Sequence, residues 1–314
     1  KLLIKNYFYK GEILKVLITG GAGFIGSHIV DKFLENNHEV VVLDNLTTGN
    51  LDNVKHNDNI KFINKNILDK DLNFEGVDVV IHHAAQINVR TSVENPILDG
   101  DINILGLINI LEKMKEYGVK KIIFASSGGA VYGEPEYMPV DEKHKVAPMS
   151  PYGLSKYCGE EYIKLYNRLY DIDYTILRYS NVFGERQDPL GEAGVISIFI
   201  DKMVKNEKAT IFGDGGQTRD FVYVGDVAEA NLKALDWKNE IVNIGTGIET
   251  SVNELYSVIA NAMDYNGEPI YGAPRDGEVY RISLNINKAK KLGWKPSVEL
   301  KEGIKRTVEW IKNK

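Results

Sequence analysis

One cysteine, Cys158, stands in a chain of 314 residues. No disulfide can form within the chain, and such thiol usage fits a reducing compartment, so the expected location is cytoplasmic. Long hydrophobic runs are missing too: nowhere do about 18 apolar residues follow one another, which argues against a membrane-spanning helix. The first twelve residues, KLLIKNYFYKGE, hold no extended apolar core and do not read as a signal peptide. Positive charge is not concentrated anywhere. With a formal net charge of −6 and no lysine or arginine tract, a nucleic-acid partner is not expected. Histidine is sparse, and its one adjacent pair, His82 and His83, has no carboxylate at ligand spacing, so no metal site is expected. Internal repeats and low-complexity segments are absent. What remains is an ordinary globular composition, 43% hydrophobic and 26% charged, in a chain long enough for one large domain or two small ones.

The strongest positive signal runs from residue 13 to residue 44. An apolar run, Ile13 to Ile18, breaks into a turn carrying Gly20, Gly21, Gly23 and Gly26. Apolar residues then recur at helical spacing (Phe24, Ile25, Ile29, Phe33, Leu34), and a second apolar run, Val40 to Leu43, closes on Asp44. Strand, glycine turn, helix and strand with a terminal acid form the pattern of a dinucleotide site. Glycine lets the backbone approach a pyrophosphate, and the free N–H groups of the first helical turn receive its charge. Asp44 is placed to accept hydrogen bonds from an adenosine ribose. A carboxylate there repels a 2′-phosphate, so NAD is expected rather than NADP.

Further along, a polar, Asn-rich loop follows Asp44 and is expected to lie over the adenosine. A strand is expected from Ile60, with Asn66 and Ile67 at its end, and another over 77–85, near-continuously apolar as a buried parallel strand should be. Ala84 and Ala85 are small residues at a carboxyl strand end, where a ligand lies against backbone. A long helix is expected over 97–117, a strand over 120–127, and a helix over 151–170 opened by Pro151 with Ser150 as its cap. The run YTILRY is a further strand. This alternation predicts an α/β fold, a doubly wound, Rossmann-like parallel sheet. Residues 11–185 would form the dinucleotide-binding domain, with some later segments returning to it. Residues 186–314 would form mainly a smaller, partly interleaved substrate lobe, with helices over 194–205, 224–235 and 252–263, strands at 210–212 and in IVNIG, an extended piece over 274–285, and two short helices around Lys288 and Ile304.

Tyr152 and Lys156 are spaced i, i+4 near a helix start, so they share one face. A phenol, with a pKa near ~10, is too weak an acid to serve as a base at neutral pH. A lysine ammonium one turn away and a cationic nicotinamide ring would stabilise its phenolate. The preceding strand ends in Ser126 and Ser127, and a serine hydroxyl can share a substrate hydroxyl's hydrogen bond with the tyrosine. Together they suit NAD-dependent hydride transfer at a hydroxyl-bearing carbon.

The chain resembles the extended short-chain dehydrogenase/reductase family, and within it the nucleotide-sugar epimerases of the UDP-glucose 4-epimerase type. The resemblance is carried by TGGAGFIGSH at 19–28, DN at 44–45, HHAAQ at 82–86, ASSGGAVYGEP at 125–135, SPYGLSK at 150–156, LRYSNVFGERQDP at 177–189, GDGGQTRDFVYV at 213–224 and PRDGE at 274–278. It implies that Gly20, Gly23 and Gly26 hold the pyrophosphate with Phe24 and Ile25 lining it, that Asp44 and Asn45 hold the adenosine side, and that Asn66 stands where the family usually has an adenine-contacting Asp. Ala84, Ala85 and Asn103 would border the cofactor, and Tyr152 with Lys156 would meet the nicotinamide ribose. Asn181, Arg219 and Arg275 match positions that hold a nucleoside diphosphate, and Ile282 matches a position whose bulk sets the room at sugar C2. Counting from Phe124 puts the catalytic serine at Ser127, with Ser126 in reserve; counting back from Val131 puts Gly128 there. Gly128, Gly129 and Ala130 stand where dehydratases carry an acid, so a 4,6-dehydratase is not implied. The implied reaction is C4 epimerisation of a UDP-hexose with tightly held NAD, UDP-glucose and UDP-galactose being preferred over N-acetylated sugars. The implied partner is a second copy of the chain, joined through a four-helix bundle built from the helices at 97–117 and 151–170.

Overall fold

The computed structural model describes residues 12–54, 60–189, 194–274 and 279–313. In chain order, β1 (Lys15–Thr19), α1 (Phe24–Glu35), β2 (Glu39–Asp44), β3 (Ile60–Asn64) and β4 (Val79–His82) form the first half of a sheet. Two short helices, α2 (Val89–Glu94) and α3 (Pro96–Gly100), lead through a π-helical turn, Asp101–Leu105, into α4 (Gly106–Tyr117). Then come β5 (Lys121–Ser127), the short α5 (Gly128–Val131), α6 (Pro151–Tyr170) and β6 (Asp173–Tyr179). The remainder runs β7 (Asn181–Phe183), α7 (Val195–Val204), β8 (Thr210–Phe212), β9 (Thr218–Arg219), β10 (Phe221–Tyr223), α8 (Val224–Lys233), β11 (Glu240–Ile244), β12 (Thr250–Ser251), α9 (Val252–Met263), β13 (Ile270–Gly272), α10 (Asn287–Lys291) and α11 (Leu300–Lys312).

Among the described residues seven strands form one parallel sheet in the order β11-β6-β5-β4-β1-β2-β3. The order reverses beside β1, so the carboxyl ends of β1 and β4 flank the crevice where such sheets bind ligands. Strands buried on both faces must be apolar throughout, and β5 shows how the alternation is used. Its Ile122 and Phe124 join a layer with Leu107, Ile110 and Leu111 of α4 and Ile163 of α6. Its Ile123 and Ala125 face the other way, into a layer with Ile29 and Phe33 of α1 and Val227 and Ala230 of α8. A separate core gathers β7, β10, α7, α9 and α11 around Phe183, Phe199, Leu255 and Ile304. The chain segment after β10 therefore returns to the main sheet, α8 against α1 and β11 as the edge strand beside β6.

Several expected boundaries move, each for a local reason. The strand from Ile60 stops at Asn64, not at Ile67. Asn66 Oδ1 accepts from Leu68 N at 2.9 Å and Asp69 Oδ2 accepts from Asn66 N at 2.9 Å, a side-chain turn that competes with the ladder. The strand expected over 77–85 keeps only Val79–His82: His83 N still donates to Thr19 O at 3.1 Å, but Ala84 N turns to the Thr19 hydroxyl at 3.1 Å. The long helix starts one residue early, at Pro96, with Asn95 Oδ1 accepting from Leu98 N, and its second turn is π-helical. The helix over 151–170 has the expected span: Ser150 Oγ accepts from Gly153 N at 3.1 Å, and Asp171 ends it in the left-handed region, φ 57°.

Candidate active site

β1 delivers the chain to Gly20, whose φ of +68° is open to few other residues. A Cβ there would lie 2.7 Å from Ala84 N, and one on Gly26 would lie 2.1 Å from Gly20 O. The turn thus packs directly on the end of β4 and under α1. Gly23 caps α1 without a side chain, and no acid occupies the helix's first turn, so its N–H groups offer an uncontested anion site. At the tip of β2, Asp44 is 8% exposed; its carboxylate accepts from Ala22 N at 3.0 Å and Leu46 N at 2.8 Å. Asp44 therefore braces the glycine turn as well as standing where a ribose would lie. This donor set fits a dinucleotide: bare helix N–H groups for phosphate and an acid for the ribose. Asn45 and Asn66 each spend an amide oxygen on a local turn, to Thr47 N and Leu68 N. Phe24 puts its ring into the second core, and Ile25 packs at its margin, so what they present to the turn is backbone. Ile67 is buried against Gly106. Ala84 and Ala85, expected as the last residues of that strand, lie just past the end of β4. Asn103 is 4% exposed and clamps that loop: its amide donates to Gln86 O and accepts from Gln86 N, both at 2.9 Å.

Across the crevice, α6 brings Tyr152 and Lys156 to the end of β5. Lys156 Nζ donates to Ala125 O at 3.0 Å and lies 5.9 Å from the centre of the Tyr152 ring and 5.1 Å from that of Phe124. Burial pushes this ammonium down to about 8, against a push upward from the Asp99 carboxylate. Consecutive strand residues point to opposite faces, and this separates the two serines. Ser126 is 3% exposed and donates to Glu160 Oε1 at 2.5 Å. Ser127 is half-buried at the strand tip; a Cβ on Gly129 would lie 4.0 Å from its Oγ and 3.9 Å from Asn181 Oδ1. Ser127 and Asn181 thus approach a common space.

Glu160 and Arg178 were not legible as site supports. They form a buried bidentate pair, Arg178 Nε to Glu160 Oε1 at 2.9 Å and Nη2 to Oε2 at 2.5 Å, with the guanidinium 4.8 Å from the Tyr132 ring centre. The available signal was Glu160 one turn beyond Lys156, a charge on the helix's buried face. His82 and His83 are held neutral, pushed down to about 3 by burial. Thr19 Oγ1 already accepts two backbone N–H groups and contacts His82 Nδ1 at 2.8 Å, so its own proton goes to that nitrogen. Among the described residues no cluster of three or more metal-ligating side chains occurs, and no helix is long and apolar enough to cross a membrane.

On the lobe side, Arg219 Nη1 donates to Thr218 O at 2.8 Å and Tyr280 O at 3.3 Å, beside a cavity of about 460 Å³ bounded by Phe212, Gln217, Pro274 and Tyr280. Arg275 lies outside the described residues. Ile282 is 3% exposed and packs with Val131, Tyr132, Val140 and Leu284, so its side chain serves an apolar cluster behind α5.

Residues 16–245 match the model of the NAD-dependent epimerase/dehydratase family. The chain belongs to that family. It is 70% identical over 302 residues to a putative UDP-glucose 4-epimerase of Methanocaldococcus jannaschii, covering 95% of this chain and 98% of that protein. The solved UDP-glucose 4-epimerase of Thermotoga maritima, with UDP-glucose, superposes with a TM-score of 0.93 at 46% identity, over 96% of this chain and 99% of that one. A UDP-N-acetylglucosamine 4-epimerase from Methanobrevibacter ruminantium, in complex with UDP-N-acetylmuramic acid, gives 0.92 at 34% identity, over 96% and 99%. Within the family this chain is an NAD-dependent isomerase, a nucleotide-sugar epimerase of the UDP-glucose 4-epimerase type. The first glycine after β5, Gly128, is held by packing. A Cβ on Gly128 would lie 2.6 Å from Leu284 Cδ1, so α5 and the Ile282 cluster could not pack as they do with an acidic side chain at that position.

Proposed function

We propose that the protein interconverts UDP-glucose and UDP-galactose by inverting C4 through a transient 4-ketose. The reading rests on one juxtaposition: Tyr152 and Lys156 stand on α6 beside the tip of β5, where Ser127 emerges, across from a glycine turn that fits a dinucleotide. Tyr152 takes the proton of the C4 hydroxyl, Ser127 shares that hydroxyl's hydrogen bond, and the Lys156 ammonium supports the phenolate. NAD, when bound, supplies the hydride acceptor and returns the hydride, so no net redox occurs. Gly20, Gly23, Gly26, Asp44 and Asn45 would hold it, and Asp44 would disfavour a 2′-phosphate. Arg219 and Arg275 would hold the diphosphate by their forked donors while the ketose turns in the pocket, with Asn181 beside it.

Support for the plain sugars comes from the 70% identical relative, named for UDP-glucose. The withdrawal of Ile282 into an apolar cluster favours a second reading, in which N-acetylated sugars are also accepted. A side-by-side measurement of kcat/KM for plain and N-acetylated UDP-sugars, on the parent and on Ile282→Ala, decides between them. We expect the plain pair to be preferred and, because Ile282 packs behind α5, the alanine variant to leave that preference unchanged; a changed ratio would put the side chain at the sugar. Equal or better turnover of the N-acetylated pair by the parent overturns the UDP-glucose assignment. Because truncating a buried isoleucine costs about 2–5 kcal/mol, the variant's unfolding midpoint is read alongside. The same reading takes the working form as a cytoplasmic homodimer. Its support is an apolar surface shared by the helices at 96–117 and 151–170, where Ile97, Leu105, Leu154, Leu165 and Leu169 are all exposed.

A further inference from the structure

Between β9 and β10 the chain turns a carboxylate inward. Asp220 follows Arg219 directly and is 1% exposed. Its Oδ1 accepts from Thr246 N at 2.8 Å and Thr246 Oγ1 at 2.6 Å, and its Oδ2 from Gly247 N at 2.9 Å and Leu284 N at 3.1 Å. Its backbone carbonyl accepts from Asn181 N at 2.9 Å. One residue thus gathers three distant segments: β7 at Asn181, the turn after β11, and the extended segment before α10. The last of these leads back to Arg219. Four residues before Leu284, Tyr280 O accepts from Thr218 N at 3.0 Å and from Arg219 Nη1 at 3.3 Å, and Ile282 N donates to Thr218 O at 3.4 Å. We propose that Asp220 is a positioning residue for the nucleotide end of the substrate: it pins the Tyr280–Leu284 segment, and through that segment's carbonyl it sets the guanidinium of Arg219.

Four donors converge on this side chain, and an ionised carboxyl is an acceptor-only group with a lone pair for each of them. An amide of the same shape would turn its own N–H against theirs and leave buried donors unpaired. The packing is close as well, since a Cβ on Gly245 would lie 2.6 Å from Asp220 Oδ2. Glu249 braces the same segment from its other side, accepting from Thr218 Oγ1 at 2.6 Å and from Arg281 Nε and Nη2 at 2.9 Å each. The partners of Asp220 (Asn181, Thr246, Gly247 and Leu284) lie outside the glycine turn, β5 and α6. Loosening them therefore acts on the nucleotide end of the site and leaves the cofactor and the base in place.

The inference rests on Arg219 as an anchor of the substrate's diphosphate, so Arg219→Met is measured beside the variants that test it. UDP is titrated into the NAD-loaded protein by calorimetry, where the stoichiometry counts competent molecules and the dissociation constant reports on the site itself. Asp220→Asn should weaken UDP about tenfold, and Thr246→Val, which removes one of the four donors, about threefold. KM for the UDP-sugar should rise with the dissociation constant, while kcat per competent molecule and the content of bound NAD stay close to the parent's. A purely structural role lowers the stoichiometry and the unfolding midpoint and leaves the dissociation constant alone; that result in both variants overturns the proposal. If Asp220→Asn does not fold, Thr246→Val decides by itself, and an unchanged dissociation constant there is the overturning result. Arg219→Met separates the two failures. If it binds UDP as tightly as the parent, the diphosphate reading falls and this inference with it; if it binds weakly while the other two variants bind like the parent, only the positioning role of Asp220 falls.

Discussion

At the scale of single residues, the two serines at the tip of β5 illustrate how one step along a strand changes a residue's task. Ser126 turns inward and completes the Glu160 and Arg178 pair, whereas Ser127 faces the crevice with Asn181. Ser126→Ala should therefore cost stability, on the order of 1 kcal/mol for a lost buried hydrogen bond, and Ser127→Ala should cost kcat. One turnover assay with one unfolding curve for each variant checks both; a larger loss of kcat at Ser126 reverses the assignment. Tyr152→Phe should keep the fold and lose about 10²–10⁴-fold in epimerisation, and activity within a few-fold of the parent would remove the base from the mechanism. A third residue acts far from the chemistry. Lys121, 2% exposed at the start of β5, donates to Thr175 Oγ1 at 2.8 Å and to Trp237 O, and burial pushes it down to about 7. Its folded pKa lies below its unfolded value of about 10.4, so the unfolded chain binds more protons between them and stability rises with pH across that window. Lys121→Met should flatten that rise in urea unfolding followed from about pH 7 to 10; an unchanged slope places the effect elsewhere.

At the scale of elements, α1 and α6 are positioned by small features at their beginnings. For α1 the feature is glycine, since the 2.1 Å approach of a Gly26 Cβ to Gly20 O leaves no room for a methyl group. Gly26→Ala should push the helix off the turn and release the cofactor, read as a fall in nucleotide recovered from the denatured protein; full cofactor content in that variant would show that the turn can yield. For α6 the feature is the Ser150 cap, which holds the first turn carrying Tyr152. Helix periodicity places Tyr152, Lys156 and Glu160 at successive turns, and the sequence shows this spacing directly. It does not show that Glu160 meets Arg178, because Arg178 comes from β6, and only sheet pairing brings that strand beside β5.

At the scale of the molecule, the sheet and the second core are joined at the segment after β7. Arg186 Nη2 meets Asp31 Oδ2 of α1 at 2.7 Å, and His28 Nε2 lies 2.9 Å from Glu185 O. The second core is thereby tied to the helix that follows the glycine turn. Exposed leucines stand on α6, Leu154 at 52% and Leu169 at 59%, and Leu105 just before α4 is 52% exposed. These leucines are the contact expected of the proposed homodimer. The double variant Leu154→Glu, Leu165→Glu should sediment as a monomer while retaining its circular dichroism; an unchanged sedimentation coefficient assigns the oligomer to another face.

The sequence by itself determined the parallel α/β sheet, the glycine turn with Asp44, the span of α6 and the i, i+4 pairing of Tyr152 with Lys156. Each is a local matter: apolar periodicity, glycine spacing, a cap and a helical repeat act within a few residues and can be read along the chain. Tertiary structure decided what depends on meetings between distant segments. It turned Ser126 toward Glu160, gave Asp44 the glycine turn to brace, withdrew Ile282 behind α5 and returned β11 to the sheet beside β6. It also carried Asp99 of α3 into the interior, where Asn103 links it to Ser155 of α6. No periodicity records such contacts, because the partners lie tens of residues apart and their burial, which sets each group's charge and hydrogen bonding, exists only once the layers have packed.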